Sequence, residues 1–196
     1  MLQFRIAFVA TIIGLVLFGA QSALAGPFYV STSFGPNWDR ESNLPFVSED
    51  TGLVGMVALG TYITSVDGLR FEVEASFRNH DGTLGPIPFE HDTTAVMVNV
   101  VFDAKGLAIG NVVPYALLGG GAAWTDLTIG GLGPLTIENS GMAYQAGAGF
   151  NYQVSEDVGV GLGYRYFQGP ELSLFGFDLD GGSNHALLAT ATVKLQ

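Results

Sequence analysis

Residues 69–78 read LRFEVEASFR: Leu69, Phe71, Val73, Ala75 and Phe77 alternate strictly with Arg70, Glu72, Glu74, Ser76 and Arg78. A period of two is the mark of a β-strand with two unlike faces. The same period returns in seven further segments, at 28–34, 52–63, 94–102, 112–127, 140–154, 158–167 and 185–196. Two are nearly as clean. Tyr144, Ala146, Ala148, Phe150, Tyr152 and Val154 alternate with Gln145, Gly147, Gly149, Asn151 and Gln153, and Val160, Leu162, Tyr164 and Tyr166 alternate with Gly159, Gly161, Gly163 and Arg165. Facing is ambiguous in 52–63, and the run Gly119-Gly120-Gly121 thins its strand, marking a bend or a close approach by neighbours. The strand pattern leaves no amphipathic helix to cover an apolar sheet face. That face must therefore lie against another sheet or against lipid.

Composition separates the two. Charged residues are 13% of the chain against roughly 25% in an ordinary soluble domain, while 48% of residues are hydrophobic and 28 are glycine. The apolar stretches are too short and too alternating for membrane helices, so the outer surface reads as lipid-facing. The absence of cysteine agrees with this, though weakly. Residues 1–25 read as a secretory signal peptide, with Arg5 before an apolar core and Ala23-Leu24-Ala25 as a small-x-small cleavage site. Residues 26–196 form the mature domain. Removing Arg5 makes the formal charge of −11 one unit more negative. So acidic a protein has no electrostatic basis for binding nucleic acid.

The connections alternate in length. Long ones at 36–50, 79–92, 128–139 and 168–184 alternate with short turns at 64–68, 105–110 and 155–157, the second half of the first turn being an Asp-Gly hairpin signal. Long outer loops and short periplasmic turns characterise outer-membrane barrels. The fold expected is all-β: an eight-stranded antiparallel up-and-down transmembrane β-barrel. Arg70, Glu72, Glu74, Arg78, Asp103, Arg165 and Lys194 fall on the inward parity and are expected to pair across a narrow lumen, Glu72 and Glu74 meeting Arg165 and Lys194. Tyr115, Tyr144, Tyr152, Tyr164 and Tyr166 are expected to supply the interfacial aromatic girdles.

Pro114-Tyr115 with its glycines, the run from Ala143 to Gly149, Gly163-Tyr164-Arg165-Tyr166-Phe167 and the opening segment from Leu69 to Glu74 resemble the small outer-membrane β-barrel superfamily of opacity proteins and outer membrane protein A membrane domains. The likeness spans the mature chain. It implies an outer-membrane location, with lipid and lipopolysaccharide as surroundings and a lumen network that plugs the barrel or gates it. The chain departs from that family in ending Val193-Lys194-Leu195-Gln196, without the usual terminal aromatic, and no peptidoglycan-binding domain is expected after the last strand.

Family members include adhesins, small channels and proteins of other roles, so function has to come from sites. The four long connections, with Asp126 at the edge of the third, hold twelve carboxylates, from Asp39 to Asp180, against Arg40 alone. The main expectation is a monomer with a structural or adhesin-like surface role through these acidic loops and with a surface protein as partner; divalent cations bridging to lipopolysaccharide are the sharper reading of the acids. A small gated porin is the alternative. A lipid-modifying enzyme is a distant third, because Ser183-Asn184-His185 is the nearest approach to a catalytic arrangement and no acid is evident in register with it. No enzyme activity and no cofactor are expected. Nor is a metal: His80 and His91 flank one connection and can approach each other, but without cysteine a closed zinc site is not foreseen. Leu127, Ile129, Leu135 and Ile137, and a second group from Leu172 to Leu179, read as hairpins continuing above the membrane or as an apolar contact surface.

Overall fold

A computed structural model of the chain describes residues 28–39, 47–130, 135–170, 172–174, 177–179 and 183–195. The segment read as a signal peptide lies outside them. The described strands are β1 (Phe28–Asp39), β2 (Val47–Glu49), β3 (Gly52–Tyr62), β4 (Leu69–Leu84), β5 (Ile87–Asp103), β6 (Val112–Ile129), β7 (Leu135–Gln153), β8 (Val158–Gln168), β9 (Leu172–Leu174), β10 (Phe177–Leu179) and β11 (Ser183–Lys194). One 3-10 turn, Lys105–Leu107, joins β5 to β6. Eight of the strands pair antiparallel in the order β4-β3-β1-β11-β8-β7-β6-β5, and β5 returns to β4. The sheet is thus closed, an eight-stranded up-and-down barrel sealed along β1 and β11, with β2 added on the extension of β4 and β9–β10 a separate small hairpin.

Two connections expected to be loops are largely strand. Residues 79–92 continue the β4–β5 ladder without a break, through His80↔His91 to Leu84↔Ile87, before turning at Gly85 (φ 59°). Only a residue free of Cβ strain takes that φ readily. Likewise β6 and β7 remain paired through Leu127↔Ile137 to Ile129↔Leu135. The first strand also outruns the segment read for it. Its ladder to β11 lapses at Gly35 and Pro36, where proline has no N–H to give, and resumes at Asn37↔Ala186.

The two parities point as differently as two solvents require. On β5, Val96, Val98 and Val100 are 44%, 56% and 41% exposed on the outer wall, while Met97, Asn99 and Val101 between them are at most 1% exposed. Inside the barrel, glycine makes room for its neighbours. A Cβ on Gly121 would lie 2.0 Å from the Val96 carbonyl oxygen and one on Gly119 2.0 Å from Asn99 Oδ1, whereas one on Gly120, on the outer parity, would meet nothing nearer than 3.9 Å. The three glycines are therefore two close approaches flanking an open position.

Gly121→Ala should lower the urea midpoint of the refolded barrel by the equivalent of about 1–3 kcal/mol. Gly120→Ala should leave it unchanged or raise it by about 0.4–1 kcal/mol. Equal effects at the two positions would show that β6 is not in this register.

Candidate functional site

The lumen is a stack of three layers. In the lowest, toward the short turns, Arg70 is 6% exposed, donates to Asp103 Oδ1 through Nη2 (2.8 Å) and to Glu72 Oε1 through Nη1 (3.2 Å), and holds Nε 2.8 Å from Asp103 Oδ2 as an ion pair outside hydrogen-bond geometry. Tyr29 completes the group. Its hydroxyl accepts from Arg70 Nη1 (2.8 Å) and donates to Glu72 Oε1 (2.6 Å), crossing β3 above Gly60, where a Cβ would lie 2.2 Å from the Tyr29 ring.

One step higher stands Glu74, 3% exposed. It accepts from Arg165 Nη1 (3.0 Å), Gln145 Nε2 (3.0 Å) and Asn99 Nδ2 (3.2 Å), so four strands converge on one carboxylate. The Arg165 side chain lies over Gly147, where a Cβ would be 2.9 Å from its Nε. The cavity left among Ser31, Glu74, Tyr115, Asn151, Arg165 and Thr190 is about 30 Å³, room for a single water molecule. Below it a vestibule of about 220 Å³ opens toward the short turns, lined in part by Arg70, Asp103 and Lys194.

An apolar layer follows, with Ala95, Met97, Ala123, Ala143 and Phe167 on one side and Val54, Met56, Ala186 and Leu188 on the other, all buried. Arg78 is embedded in it at 1% exposure. Its guanidinium lies 3.8 Å from the centre of the Phe167 ring and donates to Ser76 Oγ (2.7 Å), while Nε and Nη2 have no hydrogen-bond partner among the described residues. The cation–π contact and one neutral hydroxyl take the place of a carboxylate.

The third layer, at the long-hairpin end, is polar again. His80 on β4 and His91 on β5 face each other in register with their rings stacked 5.8 Å apart. Asp39, at the end of β1, stands 3.2 Å from His80 Nε2 and 3.8 Å from His91 Nδ1. Asn37 and Asn184 point their amide nitrogens at His80 Nε2 from 3.2 and 2.9 Å. Beneath, Thr93 and Thr125 share a hydroxyl contact of 3.2 Å.

Two residues assigned from the sequence lie elsewhere. Lys194 does not meet Glu72 or Glu74: it pairs in register with Tyr29 at the lower rim, where its Nζ donates to the Glu156 carbonyl (2.6 Å). The backbone of the β7–β8 turn is nearer to a strand-end lysine than any carboxylate deeper in the lumen. Tyr115 is not on the outer wall. It stands opposite Asp103 and Gly149, both lumen-facing, and a Cβ on Gly163 would be 2.1 Å from its hydroxyl. Opposed residues in a ladder share a face, and the glycine run just beyond Tyr115 hid the parity of β6. Tyr144, Tyr152 and Tyr164 are outward and exposed, and Tyr166 is outward and half-buried. Tyr144, Tyr164 and Tyr166 gather with Trp38 around His185 on the wall formed by β1, β11, β8 and β7, and Tyr152 lies at the opposite end of the barrel. The His80–His91–Asp39 grouping is missed by a sequence reading that treats 79–92 as a loop. Carrying the alternation of 69–78 onward would have put His80 inward and opposite His91.

A family model of the outer membrane protein β-barrel domain matches residues 8–194. Among solved structures the chain is similar to Neisserial surface protein A, at 18% identity over 87% of this chain and 98% of that one, with a TM-score of 0.57. It is similar to a major outer membrane protein of Thermus thermophilus, at 13% identity over 86% and 99%, TM-score 0.58. It is also similar to Ail, the attachment invasion locus protein of Yersinia pestis, at 16% identity over 88% and 100%, TM-score 0.52. At such identities the likeness is one of fold. No curated protein sequence matches the chain.

The two buried arginines should differ on substitution. Arg165→Met strands Glu74 with neutral donors only, at a cost of about 3–5 kcal/mol. Arg78→Met removes a cation that makes no close ion pair among the described residues, Glu74 and Asp39 acting on it only from a distance, and should cost less than half as much. Urea unfolding in lipid vesicles measures both, and a larger loss for Arg78→Met would overturn this assignment of the lumen.

Proposed function

Because the chain belongs to the outer membrane protein β-barrel domain family and is an outer-membrane barrel, we propose that it acts by contact at the cell surface rather than by passing solutes through its centre. The observation that carries this reading is that strand pairing outlasts the lumen. The β4–β5 and β6–β7 hairpins stay in register beyond the histidine layer, and carboxylates stand on either side of that layer. Asp92, Asp126 and Glu138 fall in one row across β5, β6 and β7, and Asp81 faces Glu90 across β4 and β5. Asp81 and Glu90, directly opposed on neighbouring strands, repel and weaken the end of the β4–β5 hairpin. Their retention fits a role outside folding. Hard oxygen ligands in a row above a lipid-facing wall suit divalent cations that bridge to lipopolysaccharide phosphates, and the hairpin tips beyond them suit a protein partner. A single copy closes its own sheet, so a monomer suffices.

A small gated porin is the second reading, and the vestibule ending on Arg70 and Asp103 favours it. The apolar layer above weighs against it, since Phe167, Met97, Met56 and Leu188 occupy the cross-section that a solute must pass. An enzymatic role has less support: His185 turns to the outer wall, where its Nδ1 meets the Tyr164 hydroxyl.

Replacing residues 82–89 by Asn-Gly shortens the β4–β5 hairpin while keeping a turn that hairpins favour. Cells displaying this form should bind host-cell surfaces at least about tenfold less than cells displaying the full chain, at unchanged heat-shifted electrophoretic mobility. Equal binding would exclude this hairpin as the contact. In planar bilayers the intact barrel should be silent, and regular conductance steps would favour the porin.

A further inference from the structure

We propose that Asp39, His80 and His91 form a binding site for a divalent first-row transition metal of the zinc type, set in the mouth of the barrel. One ligand atom from each of the three residues lies within 4.8 Å of the others. Zinc bonds to imidazole nitrogen and carboxylate oxygen at about 2.0–2.2 Å, which places two ligand atoms of one ion roughly 3–3.5 Å apart. The His80 Nε2 to Asp39 Oδ1 distance of 3.2 Å already meets that requirement, and the 3.8 Å from His91 Nδ1 to Asp39 Oδ2 is within a small side-chain rotation of it.

The surroundings supply an independent sign. Asn37 and Asn184 are 0% and 3% exposed, and the carbonyl oxygen of each has no hydrogen-bond partner among the described residues, although its amide nitrogen crowds His80 Nε2. Buried amide oxygens without partners are costly. Half a turn of either amide carries its oxygen to the place where its nitrogen now sits, beside His80 Nε2 and, for Asn184, also 3.0 Å from Asp39 Oδ1. With a cation among them, these orphaned oxygens become ligands or near neighbours of positive charge. Without one, the layer joins two amide nitrogens to a single ring nitrogen and leaves both oxygens unused.

The fold holds the donors in place. Asp39 belongs to β1, while His80 and His91 belong to β4 and β5; β3 stands between, and its Gly52 contributes no side chain there, a Cβ at that position lying 3.0 Å from Asn37 Oδ1. An ion would therefore tie strands across the lumen rather than along one ladder. His91 and Asp39 keep 19% and 12% of their side chains exposed, which leaves the site reachable from the hairpin end. The acidic rows of the rim raise the local concentration of any cation. Two imidazole nitrogens in a set of three ligands select Zn²⁺, Co²⁺ or Ni²⁺ over Ca²⁺ and Mg²⁺, which take oxygen.

The test titrates the refolded full chain in detergent with zinc chloride, following heat release and thermal midpoint. Its folded state is checked throughout by heat-shifted mobility. One zinc per barrel should bind in the micromolar range or tighter and raise the midpoint as mass action requires. Cobalt should give visible absorption bands, and millimolar calcium should displace neither metal. His91→Ala, the least buried ligand and the one whose loss disturbs the fold least, should weaken zinc binding more than about tenfold, as should Asp39→Asn. The site is overturned if the folded intact chain takes up no zinc, if uptake survives in a folded His80→Ala/His91→Ala double variant, or if calcium competes on equal terms.

Discussion

A carboxylate moved from water into a closed protein interior loses several kcal/mol of hydration that only a close partner returns. Glu74 meets this demand with one guanidinium and two amides from β8, β7 and β5. Much of the lumen follows from that requirement. Below the histidine layer, three guanidinium groups (Arg70, Arg78, Arg165) balance three carboxylates (Glu72, Glu74, Asp103) among the described residues. Long polar side chains reach one another because glycine stands at Gly60, Gly119, Gly147 and Gly163, where a Cβ would collide with Tyr29, Asn99, Arg165 and Tyr115. Glycine here is a negative mould of the charged network rather than a source of flexibility.

The outer wall obeys the opposite rule with the same period. Val98 and Asn99 are neighbours in sequence, and one is 56% exposed while the other is 0% exposed. Slipping any strand by one residue would put valine in the plug and an ion in lipid, so register is held from both sides at once. An eight-stranded circumference is small enough for side chains alone to fill the lumen. Together these facts make the centre of the barrel a core and leave its surface chemistry to the hairpins.

What the sequence disclosed follows the same logic. The segment 69–78 is legible because each inward position carries a polar group and each outward one an apolar group, and β7 and β8 repeat the contrast with glycine among the inward polar groups. β6 is not, because its inward positions run Tyr115, Leu117, Gly119, Gly121, Ala123 without a charge, so alternation carries little signal and Tyr115 reads as outward although it faces the lumen. Pairing partners are harder still. That Glu74 meets Arg165 follows from charge, but Lys194 lies at a strand end and is drawn to a turn carbonyl that no charge pattern reveals. The histidine layer is legible only as an approach of His80 to His91, without Asp39 and without its place inside the barrel. It lies where β4 and β5 run on past the segment read as transmembrane, and Gly and Pro near the turn (Gly82, Gly85, Pro88) make 79–92 read as irregular.

The seam between β1 and β11 has a kinetic meaning. Arg70, Glu72 and Asp103 belong to strands adjacent in sequence, and their cluster can assemble as soon as one hairpin forms. The Glu74–Arg165 pair spans 91 residues, and the approach of Asn184 to His80 spans 104. Both wait until the last strand docks on the first. An open sheet entering the bilayer thus keeps its deepest ions wet until the final zipping step, which supplies their neutralisation all at once. Insertion of this chain is a latch that closes last, and a half-closed form has little to hold it in place.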